Sequence, residues 1–146
     1  MSVINIISVG RTKEKYIQSG IEEYEKRLIR RRIHTVEIKD STKPKEAAKM
    51  IALVEKIKDS FVVALDEYGE EFTSIEFADF IKARVHKNIC FVIGGPDGLD
   101  KIMLDKSDKI VSLSKMTFTH EMAKLILFEQ IYRAFAIIDG KKYHRS

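Results

Sequence analysis

The stretch FVIGGPDGLD, residues 91–100, carries the most information in this chain. A run without a charge stops abruptly in Gly94, Gly95, Pro96, Asp97 and Gly98. Strands that are apolar throughout belong to parallel sheets covered on both faces. In such sheets ligands bind beyond the carboxyl ends of the strands. Glycine there lets the backbone turn sharply or approach a ligand closely. Proline stiffens a turn, and aspartate bonds its own backbone. Taken alone, the stretch is open between a tight structural turn and a ligand loop.

Working outward, the rest of the chain repeats the alternation. VINIISVG, FVVALD and KIVSLS read as further strands, and HTVEIK alternates like one. EYGEE, after FVVALD, reads as a turn. Ile17, Ile21, Tyr24 and Leu28 recur at helical spacing. KPKEAAKMIALVEKIKDS is a second helix with Pro44 near its start. Ser74 is the expected cap of a third, near 74–86, and a short helix is expected near 100–105. A long helix is expected from His120 to about Ile138, apolar on nearly every side. A helix apolar all round is buried all round, so part of it should meet a second subunit. The fold class is therefore α/β, a mainly parallel sheet with helices on both faces. The whole chain, 1–146, reads as one domain.

Composition narrows the function classes. The net charge is +4, from 26 basic and 22 acidic residues, which permits a nucleic-acid partner without requiring one. The run Lys26, Arg27, Arg30, Arg31 and Arg32 reads as a solvated helix end, with a phosphate contact as the sharper alternative. No apolar run approaches a membrane span, and the first residues lack the pattern of a signal peptide. The single cysteine, Cys90, reads as a small buried strand residue of a reducing, cytoplasmic protein. The histidines are scattered, without metal-ligand spacing, so no metal is expected. Walker and dinucleotide glycine fingerprints are both absent. Three strand ends, at Leu65, at Gly95 and at residues 114–120, could instead converge on one crevice. Its wall of Leu65, Met116 and Phe118, with exposed backbone, suits a neutral flat ring such as adenine better than a polyphosphate.

Three motifs, FVIGGPDGL, LSKMTFTHEMAKLILFEQIYRA and the terminal YHRS, resemble those of the ribosomal RNA large subunit methyltransferase H family of the SPOUT superfamily. The resemblance runs from IISVG to the tail. It implies a homodimer whose C-terminal part is tied in a trefoil knot. It implies S-adenosyl-L-methionine as cofactor and N3 of a pseudouridine in 23S rRNA of the assembled ribosome as acceptor. Carried over residue by residue, the cofactor contacts fall at Leu65, Gly95, Lys115, Met116, Thr117, Phe118, Thr119 and His120. The catalytic candidates are Arg133, Tyr143, His144 and Arg145, with the tail reaching the active site across the dimer. His120 and His144 are both candidates for the base that takes the N3 proton. For His120 the alternative is a cap of the last helix, and for the tail a frayed terminus whose loss removes little buried area. Thr119, Lys124 and Asp97 depart from the commoner Pro, Arg and Glu of relatives. A non-catalytic ribosome-binding factor and a methyltransferase of another RNA are the other classes the motifs admit.

Overall fold

The computed structural model of the chain describes residues 3–145. Met1, Ser2 and Ser146, the last residue of the tail motif, lie outside the described residues. The order is β1 (Ile4–Val9), α1 (Lys15–Arg27), β2 (Ile33–Ile38), α2 (Lys43–Glu55), β3 (Ser60–Glu71), α3 (Ser74–Lys82), β4 (Asn88–Ile93), α4 (Lys101–Lys106), β5 (Lys109–Ser112) and α5 (His120–Ile138). The five strands are ordered β2-β1-β4-β3-β5 and every pair is parallel.

Side-chain alternation explains why the strands read as continuously apolar. Ile4 and Ile6 of β1, with Ile89, Phe91 and Ile93 of β4, face one layer of helices. Ile7, Val9, Cys90 and Val92 face the other. The first layer is α1, α3 and α5, packed through Ile17, Phe77, Phe80, Leu127, Phe128 and Ile131. The second is α2 and α4, through Met50, Val54 and Met103. Both faces of β4 are closed, so Phe91→Ala would cost roughly 3–5 kcal/mol.

Local chemistry sets most boundaries. Thr42 caps α2 by accepting from the Lys45 amide, and Pro44 sits in the first turn. Asp100 caps α4 by accepting from the Ile102 amide. Three expectations are corrected. The cap of α3 is Thr73, not Ser74: Thr73 and Glu76 form a reciprocal capping box. Ser74 donates its hydroxyl to Gln130 of α5 instead, and the helix stops at Lys82. Helix α5 starts at His120, as expected; its cap is Thr119, which accepts from the Met122 amide, so of the alternatives for His120 the cap falls away.

The third correction concerns EYGEE, which belongs to β3 and not to a separate turn. Leu65 and Glu70 both stand opposite Val111 of β5, so residues 66–69 leave the ladder as a wide bulge. Gly69 permits this, since a Cβ there would lie 2.8 Å from the backbone of Ile110. Sequence pattern saw the excursion but not the return of the chain to the same strand.

Candidate functional site

A cleft of about 1040 Å³ lies beyond the carboxyl ends of β3, β4 and β5. It is lined by the β3 bulge, the turn after β4, the loop between β5 and α5, and the start of α1. Leu65, Gly95, Met116, Thr117, Phe118, Thr119 and His120 all line it, as the sequence led us to expect. Lys115 does not: its ammonium is exposed and lies 3.8 Å from Glu71.

The turn after β4 is closed by its own backbone. The Gly98 amide donates to the Gly95 carbonyl at 2.9 Å. Gly98 has φ of +79°, the left-handed region. A Cβ on Gly94 would lie 2.4 Å from the Gly98 carbonyl carbon, while one on Gly95 would meet only the Val9 side chain, at 3.2 Å. The structural-turn reading of this stretch therefore holds, and the same turn borders the cleft. Gly94 is required by the turn itself, and the buried backbone of Gly94 and Gly95 walls the cleft.

Side chains brace the other loops. The Thr117 hydroxyl donates to Glu67 at 2.6 Å, tying the β5–α5 loop to the bulge. The Tyr68 amide donates to Asp66 at 3.0 Å. The Glu121 carboxylate accepts the Lys13 and Glu14 amides at 3.1 and 3.0 Å, fixing the entry to α1. Apolar side chains at the mouth stay uncovered, Tyr68 at 89% exposure and Met116 at 75%. Lys124, buried one turn into α5, pairs with Glu37 at 3.3 Å. A lysine makes this contact as a single point charge, where arginine would offer a fork.

The second group of candidates assembles at the far end of α5. The tail folds back, and Tyr143 donates to Glu129 at 2.7 Å and packs edge-on against Tyr132. Glu129 also takes Arg133, at 2.6 Å to one oxygen and 3.3 Å to the other. This contact holds the guanidinium pKa above its ordinary value. Burial foremost, then the hydrogen bonds to Tyr24 and Glu129, pushes the Tyr143 phenol up, so it stays protonated. Arg133 lies 3.1 Å from His144 Nδ1. A guanidinium only donates, so in this contact Nδ1 accepts and Nε2 is the nitrogen left to donate. That Nε2 is buried without a partner. Arg145 is exposed.

The tail is thus pinned rather than frayed. Glu129, at its centre, escaped the sequence reading, although its i,i+4 spacing to Arg133 was visible. His120 and Arg133 are thirteen residues apart on one helix, which is about 20 Å at 1.5 Å per residue. One chain does not bring its cleft and its tail together. Among the described residues, no group of three or more His, Cys, Asp or Glu could hold a metal ion, and no helix is long and apolar enough to cross a membrane. Cys90 is buried, and burial raises its thiol to about 11.

Comparisons with known proteins bear on this geometry. Residues 2–144 match a family described as "Predicted SPOUT methyltransferase". A ribosomal RNA large subunit methyltransferase H from Finegoldia magna is 45% identical over 160 residues, covering 97% of this chain and 99% of the relative. The protein of that name from Prochlorococcus marinus is 41% identical over 99% of this chain and 97% of its own. Among solved structures, a probable methylase family protein from Haemophilus influenzae superposes with a TM-score of 0.66 at 14% identity, over 99% of this chain and 71% of that one. The SpoU methyltransferase AviRb from Streptomyces viridochromogenes, solved in complex with AdoMet, superposes with a TM-score of 0.54 at 13% identity, over 90% of this chain and 57% of that one.

Proposed function

The chain belongs to the SPOUT methyltransferases, in the ribosomal RNA large subunit methyltransferase H family, and on that premise we propose that it methylates N3 of a pseudouridine in 23S rRNA of the assembled ribosome. S-adenosyl-L-methionine supplies the methyl group as an electrophilic sulfonium carbon. The observation that carries this reading is the convergence of three loops on one cleft in a chain of that family. The fit is chemical. Leu65 and Phe118 offer apolar walls for a purine, and the Gly94–Gly95 backbone offers donors and acceptors without side chains in the way. The cleft volume, about 1040 Å³, admits a cofactor and a nucleobase side by side.

In this reading the protein is a single SPOUT domain with a knotted C-terminal part, acting as a homodimer. The 20 Å between cleft and tail supports it. The tail of one copy serves the cleft of the other. The N3 proton must leave before nitrogen attacks, and groups that stabilise the imide anion assist. Arg133, fixed by Glu129, holds His144 as a donor through Nε2–H. The tail therefore stabilises the developing negative charge, with Arg145 as a further cation, and the base is sought elsewhere, at His120. An unpartnered buried N–H costs about 1–3 kcal/mol, which favours lifting the tail toward an acceptor on substrate.

The test is incubation of ribosomes, and separately of free 23S rRNA, with labelled S-adenosyl-L-methionine, followed by mapping of the labelled nucleotide. Label at one pseudouridine N3, on ribosomes and not on free RNA, is the expected result. Cofactor binding without transfer would point to a ribosome-binding factor, and label on another RNA to a different substrate.

A further inference from the structure

The basic run that the proposed chemistry leaves unused lies at the opposite end of the sheet. At the amino ends of the strands two shallow depressions, of about 540 and 640 Å³, share Arg31, Arg32, Ile33 and Asn88. Arg30 and Lys87 complete the first, beside His86, with Asp59 as its one carboxylate. Arg31 is held in place: it pairs with Asp139, and its guanidinium lies 4.2 Å over the Phe135 ring. The cleft has the reverse charge, with Glu14, Asp66, Glu67, Asp97 and Glu121 in its lining against the single cation Lys43. A phosphate is therefore repelled where the methyl group is transferred and attracted at the other end.

From this asymmetry we propose that the surface around Arg30, Arg32 and Lys87 grips the sugar–phosphate backbone of structured RNA, remote from the nucleotide being methylated. The separation follows from the sheet: strands of six residues put the two ends about 20 Å apart. The inference rests on the methyltransferase reading for its choice of RNA as the polyanion. A second copy of the chain does not suit this surface, because two such faces repel. Bipartite contact also explains a preference for the assembled ribosome. A folded particle presents a target base at one end and phosphates at the other at once, and a short hairpin does not.

The test uses the full chain with Arg30→Glu and Lys87→Glu together, against Lys45→Glu and Lys49→Glu on the exposed side of α2, which change the net charge equally. Sedimentation with ribosomes in ~0.1 M salt should show the first variant bound more weakly by on the order of tenfold. Its log K against log salt slope should fall by about 2, with affinity for S-adenosyl-L-methionine unchanged, and the α2 variant should bind like wild type. Should the double substitution lower Tm, Arg30→Gln and Lys87→Gln singly carry the same test. Equal weakening in both variants, or none in either, overturns the proposal. So does loss of binding to phosphatidylserine vesicles with ribosome affinity kept, which would make the surface a lipid contact. If wild type sediments with ribosomes, the Arg30/Lys87 variant does not, and neither transfers methyl groups, the surface stands and the methyltransferase reading falls.

Discussion

Helix α5 begins in one kind of chemistry and ends in another. Its first turn, from Thr119 to Glu121, borders a cleft made of loop backbone and uncovered apolar side chains. Its last turns carry Glu129 and Arg133, where ions, phenols and an imidazole bond to one another. The first end is shaped by backbone course, with carboxylates in its lining. The second spends its polar groups on each other and leaves one nitrogen, His144 Nε2, without a partner. Shape recognition tolerates change in individual side chains but not in backbone course. A polar network tolerates neither loss of a member nor loss of its orientation.

Truncation after Lys142 breaks the comparison most severely. Methylation of ribosomes should fall by about a thousandfold, read with labelled cofactor, while cofactor affinity holds because the cleft is untouched. The structure adds a cost that the sequence hid. Tyr143 packs on Tyr132 and donates to Glu129, so truncation should also remove about 1–2 kcal/mol. In a chain of this size that lowers Tm by roughly 2–8 °C. Full activity in the truncated protein would make the tail a structural clasp only.

Separating two copies should come next in size. Ile126 is half-buried and lies outside both cores. Ile126→Asp should yield monomers by light scattering and lose most methylation, with cofactor still bound, since each end of α5 would be intact but alone. An active monomer would refute the composite site.

Within the tail, His144→Gln should retain several times the turnover of His144→Ala, because an amide donates a hydrogen bond but takes no proton. Equal loss would return the imidazole to the role of base. At the cleft end, Gly94→Ala should destabilise by about 1–3 kcal/mol and weaken cofactor binding, because the added carbon strikes backbone. Gly95→Ala asks only that Val9 shift by a few tenths of an ångström. Calorimetry in which Gly95→Ala is the worse variant would relocate the close approach to the ligand. The smallest effect is expected between the two ends, at Cys90. Burial raises its thiol above the ordinary value to about 11. The stability this contributes is present below the unfolded thiol value and is lost as pH rises through 11. Iodoacetamide at pH 8 should leave the folded protein unmodified while labelling it in denaturant.

The cleft end was largely legible in the sequence, and the tail end only in part. Strand ends announce themselves because burial makes strands apolar and their termini abrupt, so Leu65, Gly95 and Thr117 could be placed before any geometry. Lys115 stands apart because a run of neighbours does not share one direction: its side chain leaves the cleft for Glu71. A helix cap was off by one residue at Ser74, where adjacent polar residues compete and only backbone angles decide. The network around Glu129 is tertiary. Tyr24 of α1 reaches it at 3.4 Å from Tyr143, across 119 residues of chain, and no local pattern encodes that pairing.

The register of the sheet has a consequence for how the chain comes to fold. Ile4 pairs with Ile33 on one side and with Ile89 on the other. Until β4 has been synthesised, β1 has only β2 beside it, and β3 has no inner neighbour. The centre of the sheet is thus the last interior strand to arrive, and it must enter between two strands already made. Loops of that length close against a large entropy, and parallel pairing is slow for that reason. A nascent chain stalled before residue 88 should remain protease-sensitive throughout, and protection should appear in one step once β4 and α5 are free to pack. Stability here is acquired late and all at once.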